Sequence, residues 1–334
     1  MADADERIVL GYYPGWECGL SPDRIDYRLF THIAHAFAVP GADGLIRSNR
    51  FLPSRELTDR AHGAGTKVLL SLGGGGGSGH FPVIMADPAL TGRFIESIRA
   101  MVEDHGYDGV DVDWEFPLTE VDAAGLVNLV RLLRSAMPGI LLTMAVNAGD
   151  YYGRWFRHAE LVSLYDLLNV MTYDFHGPWT PLAGHNAPLF GPPDDPDGKS
   201  LSTAAGMAYW ETVKGWPKNR LLMGIPSYGR GFLASRWYET VAGKSPHGYV
   251  SLLAVRRLIA EGWVRSWDQH AQVPYLSKPG EPGLISYEDE QSAEIKGKWA
   301  RDEGYRGIFF WEISLDFSEG THAIVAAARK GFLR

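Results

Sequence analysis

The strongest constraint on this chain is an alternation that persists from end to end: short runs of β-branched and apolar residues separated by longer amphipathic stretches. Eight such runs, at residues 8–13, 32–38, 67–72, 109–115, 141–146, 167–173, 221–226 and 307–313, read as strands. Helical stretches fall at 54–64, 87–105, 120–137, 202–214 and 289–303, with a closing one near 319–330. Asp87-Pro88 supplies the N-cap and first-turn proline of one helix, and Pro138-Gly139 stops another. Repeated strand–helix units pair their strands in parallel. Eight of them in one chain favour a closed α/β barrel, the (β/α)8 or TIM barrel, over an open doubly wound sheet. With 334 residues, 45% of them hydrophobic, the chain can fill one barrel spanning residues 1–334.

One interval breaks the rhythm. Residues 229–285 separate the seventh strand from its helix, too far for a simple loop. The interval contains a helical stretch at 251–261 and several aromatics, so a small insertion rising from the upper rim of the barrel is expected there. Residues 191–200, rich in Pro and Asp, read as a polar surface loop.

The net charge of −8 is spread along the chain, which gives neither nucleic acid nor an anionic membrane anything to attract; a neutral substrate fits best. No apolar run approaches the length of a transmembrane helix. The acidic start lacks a secretory apolar core, so the expected location is extracellular if a signal peptide has been removed and cytoplasmic otherwise. A single cysteine, Cys18, excludes an internal disulfide. The run Gly75-Gly76-Gly77-Ser78-Gly79 invites a phosphate-loop reading, but no Gly-Lys-Ser/Thr follows, and no cofactor is expected. The protein is expected to act as a monomer.

The chemistry concentrates in Asp108-Gly-Val-Asp-Val-Asp-Trp-Glu-Phe-Pro117. Side chains of a strand alternate between faces, so Asp111, Asp113 and Glu115 share one side and Val110, Val112 and Trp114 the other. In a barrel strand the apolar set packs on the helices, which sends the acids inward. Burying carboxylates costs several kcal/mol, on the order of what a structural strand avoids by using Val or Ile. Crowded acids cannot all ionise, so at least one holds its proton near neutral pH and can serve as a general acid. Glu115 is nearest the C-terminal end of the strand, where barrel enzymes react. A hard-metal site would draw its acids from several loops rather than one strand, and no metal is expected. A proton-sharing structural network is the other alternative.

The spacing Asp108-x-x-Asp111-x-Asp113-x-Glu115 resembles the DxxDxDxE signature of the glycoside hydrolase family 18 chitinases. Gly11-Tyr12-Tyr13-Pro14-Gly15-Trp16 is similar to that family's opening strand, Ser71-Leu72-Gly73-Gly74 to its SxGG motif, and Met171-Thr172-Tyr173-Asp174 to its sixth strand. Tyr228-Gly229-Arg230 and Trp311-Glu312 resemble the ends of its seventh and eighth, and Trp267-Asp268 with Val273-Pro274-Tyr275 its late insertion. The resemblance implies cleavage of chitin or chito-oligosaccharides by a retaining, substrate-assisted route. It assigns proton transfer to Glu115, orientation of the acetamido group and stabilisation of the oxazolinium to Asp113, and proton sharing with Asp113 to Asp111. Tyr173 and Asp174 would hold the acetamido carbonyl, Trp311 would floor the cleavage point, and Tyr228 and Arg230 would line the cleft with Tyr12, Trp16, Gly74 and Met171. Where many relatives carry an aromatic soon after SxGG, this chain has only glycines and a serine, which offer no stacking face.

From position alone, Trp16, Trp179, Trp237 and Trp311 follow expected strands, where flat rings suit the apolar faces of sugars. His32 and His35, three apart in a strand, point to opposite faces and read as buried structural histidines. Asn147 could face the cleft, while His158 and His176 receive no role. Two further functions remain open: a chitin-binding lectin, which usually lacks the terminal glutamate, and cleavage of the chitobiose core of N-glycans.

Overall fold

The structure, a computed structural model, describes residues 7–196 and 201–334. The last four residues of the 191–200 loop therefore lie outside the described residues. Eight parallel strands close into a barrel: β1 (Ile8–Pro14), β2 (His32–Pro40), β3 (Lys67–Gly73), β4 (Gly109–Asp113), β5 (Leu141–Asn147), β6 (Leu167–Met171), β7 (Leu221–Pro226) and β8 (Gly307–Trp311). Each pairs with the next, and β8 returns to β1. The helices are α1 (Arg55–Gly63), α2 (Pro88–His105), α3 (Glu120–Ala136), α4 (Thr203–Ala208), α5 (Glu290–Asp302) and α6 (Ala323–Leu333).

Local chemistry sets these boundaries. Asp87 accepts hydrogen bonds from the amides of Ala89 and Leu90 at the start of α2, and Gly106, at φ +70°, ends it in the left-handed conformation. Asp108 accepts from Val68 N at 2.7 Å and lies 2.8 Å from His62 Nε2. The first acid of the motif thus ties strands at the barrel's lower rim and takes no part in the cleft. Asp166 does the same before β6, accepting from Leu142 N and pairing with Arg134.

Alternation divides the apolar side chains into two cores. Val110, Val112 and Trp114 face outward into the layer between strands and helices with Phe81, Leu126 and Val130. Trp114 stacks on Phe81 with centroids 4.8 Å apart. Inside the barrel lie Ile8, Leu10, Tyr12, Leu69, Leu222 and Phe309. Both histidines of β2 are buried: His35 Nδ1 bonds to Tyr107 Oη and His32 Nδ1 to Thr31 Oγ1.

Several expected elements end early. The fourth strand stops at Asp113 rather than residue 115, because the amide of Glu115 turns to Ser78 Oγ instead of a ladder partner. The sixth and eighth stop at Met171 and Trp311, and Glu312 caps a short helix, Ile313–Asp316. The helix expected over 202–214 is α only through Ala208 and then widens into a π turn, Tyr209–Val213. The closing helix begins at Ala323, since a small hairpin, Phe317–Ser318 with Thr321–His322, occupies its expected first turn. Two single turns, Asp150–Gly153 and His158–Leu161, follow β5.

Between β7 and α5 the chain builds an antiparallel sheet of five strands beside one helix, Leu252–Ala260. The strands, in chain order, are Tyr228–Phe232, Val250–Ser251, Val264–Asp268, Val273–Ser277 and Leu284–Ser286. At two to five residues each, they are too short for alternation to reveal in the sequence. Val255, Leu258, Trp263, Leu276 and Ile285 form their own apolar cluster. Lys296 of α5, fully buried, donates to the carboxylate of Glu288 and the carbonyl of Ala187, fastening the end of the insertion to the loop after β6. Lys296→Met strands a buried carboxylate and is expected to cost about 3–5 kcal/mol in urea unfolding. The double change Glu288→Leu/Lys296→Met should recover part of that loss; no recovery would mean the pair is not the source.

Candidate active site

Four strands converge on Asp111, which is fully buried. Tyr12 of β1 donates to its Oδ2 at 2.9 Å and Ser71 of β3 at 2.7 Å; Thr143 of β5 and Asn169 of β6 donate to Oδ1 at 2.5 and 3.2 Å. Burial raises the pKa of Asp111, while these four donors act in the opposite sense. None of these four hydrogen bonds involves Asp113, on which Asp111 acts through its charge from one step below on the same face. The lone pairs of Asp111 are already directed at four other groups.

Asp113, one step up the same face, is in a different situation. Its Oδ1 is buried and has no protein partner. Burial pushes its pKa well above the carboxylate range, reinforced by the charges of Glu115 and Asp111. Glu115 is half-buried beyond the strand end, where burial and then the charge of Asp174 raise it to about 7 against a pull from the Gly75 amide. A Cβ on Gly75 would lie 3.5 Å from Glu115 Oε1, in ordinary contact with the acid. Gly74, at φ +76°, donates to the Asp113 carbonyl at 2.7 Å, and a Cβ there would collide with Phe37.

Asp174 is clamped by residues of the insertion. Arg230 engages it with two parallel bonds, Nε to Oδ1 and Nη2 to Oδ2, both 2.9 Å, and Tyr228 Oη donates to Oδ1 at 2.8 Å. The Arg230 guanidinium lies over the rings of Trp179, Tyr228 and Tyr249 at 4.9 to 5.0 Å. Tyr173 is buried beside the acids, and burial with the charges of Asp113 and Glu115 raises its phenol well above the usual value.

Two cavities meet at Glu115, Met171, Tyr173 and Asp174. The smaller, about 400 Å³, is lined also by Tyr12, Trp16, Phe37, Asp113 and Trp311. The larger, about 680 Å³, opens past Phe116, Asn147, Tyr151, Tyr152 and Trp179. Both fall in the range of small-molecule sites. Trp311 stacks on Phe37 with centroids 5.3 Å apart, and Phe116 on Tyr152 at 4.2 Å. Among the described residues no three His, Cys, Asp or Glu side chains converge as metal ligands.

The cleft therefore contains Trp16, Trp179 and Trp311, but Trp237 belongs elsewhere. It packs with Phe232 and Tyr275 in the insertion and against His185, where an indole fills a gap between strands. Asn147 does line the larger cavity. Sequence reasoning missed Phe37, Phe116, Tyr152 and Tyr249. The first was reachable, since it follows the inward residue Ala36 at a strand end; Tyr249 lies inside the insertion and carries no signal.

A family model described as glycosyl hydrolases family 18 matches residues 8–316. A probable endochitinase of Caenorhabditis elegans is 32% identical over 88% of this chain and 53% of its own length. Probable chitinase 2 of Drosophila melanogaster is 29% identical over 93% of this chain and 72% of its own. The chain thus spans about half the length of the nematode relative. Among solved structures, the Ostrinia furnacalis group IV chitinase superposes with a TM-score of 0.89 at 27% identity, covering 98% of this chain and all of that one. The same insect enzyme in complex with allosamidin gives 0.87 at 28%, covering 96% and 97%.

The electrostatics can be read without any assay. In a carboxyl-carbon NMR titration Glu115 should show a midpoint near 7, and Asp174→Asn should lower it by removing a neighbouring negative charge. An unmoved midpoint in that variant would contradict the coupling.

Proposed function

Because this chain belongs to glycosyl hydrolase family 18, we propose that it is a chitinase, hydrolysing β-1,4 links between N-acetylglucosamine units of chitin or chito-oligosaccharides. One observation carries the reading: an acid whose proton is retained near neutral pH lies where two aromatic-lined cavities meet. That is where a polymer must place its scissile bond. The likeness to the insect chitinase supports the same reading.

In this mechanism the sugar to be cleaved occupies the smaller cavity with its apolar face over Trp311, and the leaving part extends into the larger one. Glu115 gives its proton to the glycosidic oxygen. The acetamido carbonyl oxygen attacks the anomeric carbon as that bond breaks, forming an oxazolinium. Asp113, whose Oδ1 lacks a protein partner, accepts from the acetamido N–H, and the cation developing beside it favours its ionised form against the burial that raises its pKa. Tyr173 and Asp174 hold the carbonyl side. Glu115, now a carboxylate, takes a proton from water as it adds to the anomeric carbon, and configuration is retained.

A lectin on the same barrel needs no proton donor, and the raised Glu115 favours catalysis over that alternative. Glu115→Gln should reduce kcat on chitotetraose by about 10²–10⁴ with little change in KM; near wild-type turnover would refute the assignment. Asp113→Ala should lose most activity as well. Proton NMR of the first products should display the β-anomer, and net inversion would exclude participation by the acetamido group. Because Glu115 must be protonated, kcat/KM should fall as pH rises through about 7. Comparing chitohexaose with a high-mannose glycopeptide separates a chitinase from an N-glycan endoglycosidase.

A further inference from the structure

Asp174 has its backbone in the left-handed region, φ +59°, which few residues other than glycine adopt and which aspartate tolerates better than most. What holds it there is a buried set of hydrogen bonds reaching from the loop after β6 into the insertion. The amide of Asp174 donates to Asn186 Oδ1 at 3.0 Å, and the amide of Phe175 donates to the Asn186 carbonyl at 3.0 Å. Asn186 Nδ2 donates to the Tyr228 carbonyl at 3.3 Å, and its own amide donates to Ser286 Oγ at 3.0 Å. Ser286 Oγ is 3.2 Å from His185 Nδ1, and His185 Nε2 is 3.0 Å from Asp268 Oδ2. The carboxylate fixes the tautomer: Nε2 carries the proton toward Asp268, leaving Nδ1 to accept from the Ser286 hydroxyl. Asp268 is itself anchored by the amides of His270 and Ala271.

We propose that Asn186 is a positioning residue for the cleavage reaction, locking the left-handed turn that aims Asp174 at Glu115, with Ser286, His185 and Asp268 as the brace that holds Asn186. The inference rests on the chitinase reading above. Asn186 is 1% exposed and lines neither cavity, so it acts through the segments it holds, Asp174 and Phe175 on one side and Tyr228 on the other. Its side chain satisfies a donor and an acceptor on two different segments at once, which no apolar residue of similar size can do. Among the described residues the Asp174 carboxylate, by contrast, bonds to Arg230 and Tyr228, both of the insertion's first strand. When the Asn186 lock is removed, the turn relaxes toward the common backbone region and those two residues draw the carboxylate away from Glu115.

The titratable groups around the site give a readout that a merely structural role would not move. Glu115 faces Asp113, Tyr173 and Asp174, while Asp174 faces Arg230, Tyr228 and Tyr249. The Asp174 charge raises Glu115, so its withdrawal lowers Glu115 and brings the alkaline limb of kcat/KM to lower pH. Asn186→Ala in the full chain, assayed on chitotetraose with thermal melts alongside, should lower kcat about tenfold with KM within about twofold. It should also shift the alkaline limb down by roughly half a pH unit. Ser286→Ala, which removes the brace and retains the asparagine, should shift the limb in the same direction by less.

A soluble Asn186→Ala protein that melts earlier but retains the wild-type limb and kcat overturns the proposal. If that variant does not fold, Ser286→Ala decides: an unmoved limb overturns the proposal and a lowered one supports it. Wild-type turnover separates the two levels. An active wild type with unaltered variants refutes only the positioning role, whereas an inactive wild type refutes the chitinase reading and this inference with it.

Discussion

Four hydroxyl or amide donors from four different strands meet at one buried carboxylate, Asp111, and the upper half of the barrel is arranged around that meeting. An ionised acid in a protein interior costs several kcal/mol, on the order of a third or more of a domain's net stability, unless its lone pairs are occupied. Tyr12, Ser71, Thr143 and Asn169 occupy them. The same bonds tie β1, β3, β5 and β6 through the interior, where a barrel would otherwise rely on interdigitating apolar side chains. Asp111 is thus both a liability that dictates four neighbours and the brace those neighbours create.

Moving up the strand, the surroundings of the acids change at each step, while burial raises the pKa of all three. Asp111 has four donors, Asp113 has an oxygen with none, and Glu115 ends beyond the ladder at the edge of the cavities. Three identical functional groups on one face acquire three different characters from their surroundings alone. The lowest is an acceptor saturated by protein, the middle one is open to a ligand, and the top one holds an exchangeable proton. The gradient follows from geometry, because the strand ends where the barrel opens and each step of two residues is one layer nearer to solvent.

Much of this was legible in the sequence. Eight apolar runs marked the strands because a barrel strand is buried on both faces, and the acids of β4 stood out because they violate that rule. Trp311 was reachable as a residue at a strand end, whereas Tyr173 and Met171 stood out only through the family resemblance. What could not be read was everything contributed by short irregular segments. The five strands of the insertion are too brief to alternate visibly, so neither Tyr249 nor the misplaced Trp237 could be assigned from spacing. Two of the four donors to Asp111, Thr143 and Asn169, were equally silent, since a threonine and an asparagine inside strands look like ordinary polar substitutions until the register brings them together.

The insertion also changes what the barrel alone could do. β6 ends at Met171, and the chain that follows would have no reason to hold an aspartate in a left-handed turn beside a protonated acid. Arg230 and Tyr228 supply the charge and hydroxyl that stabilise Asp174 as an anion, and both project from the first strand of the inserted sheet. That strand pairs with Leu284–Ser286, which leads back to Glu288 and its buried partner Lys296 on α5. A single covalent excursion therefore connects the ion pair in the interior to the anion that raises Glu115. Glu115, just beyond β4, is raised first by its burial and then by the charge of Asp174, and the insertion enters that balance by holding Asp174 in place.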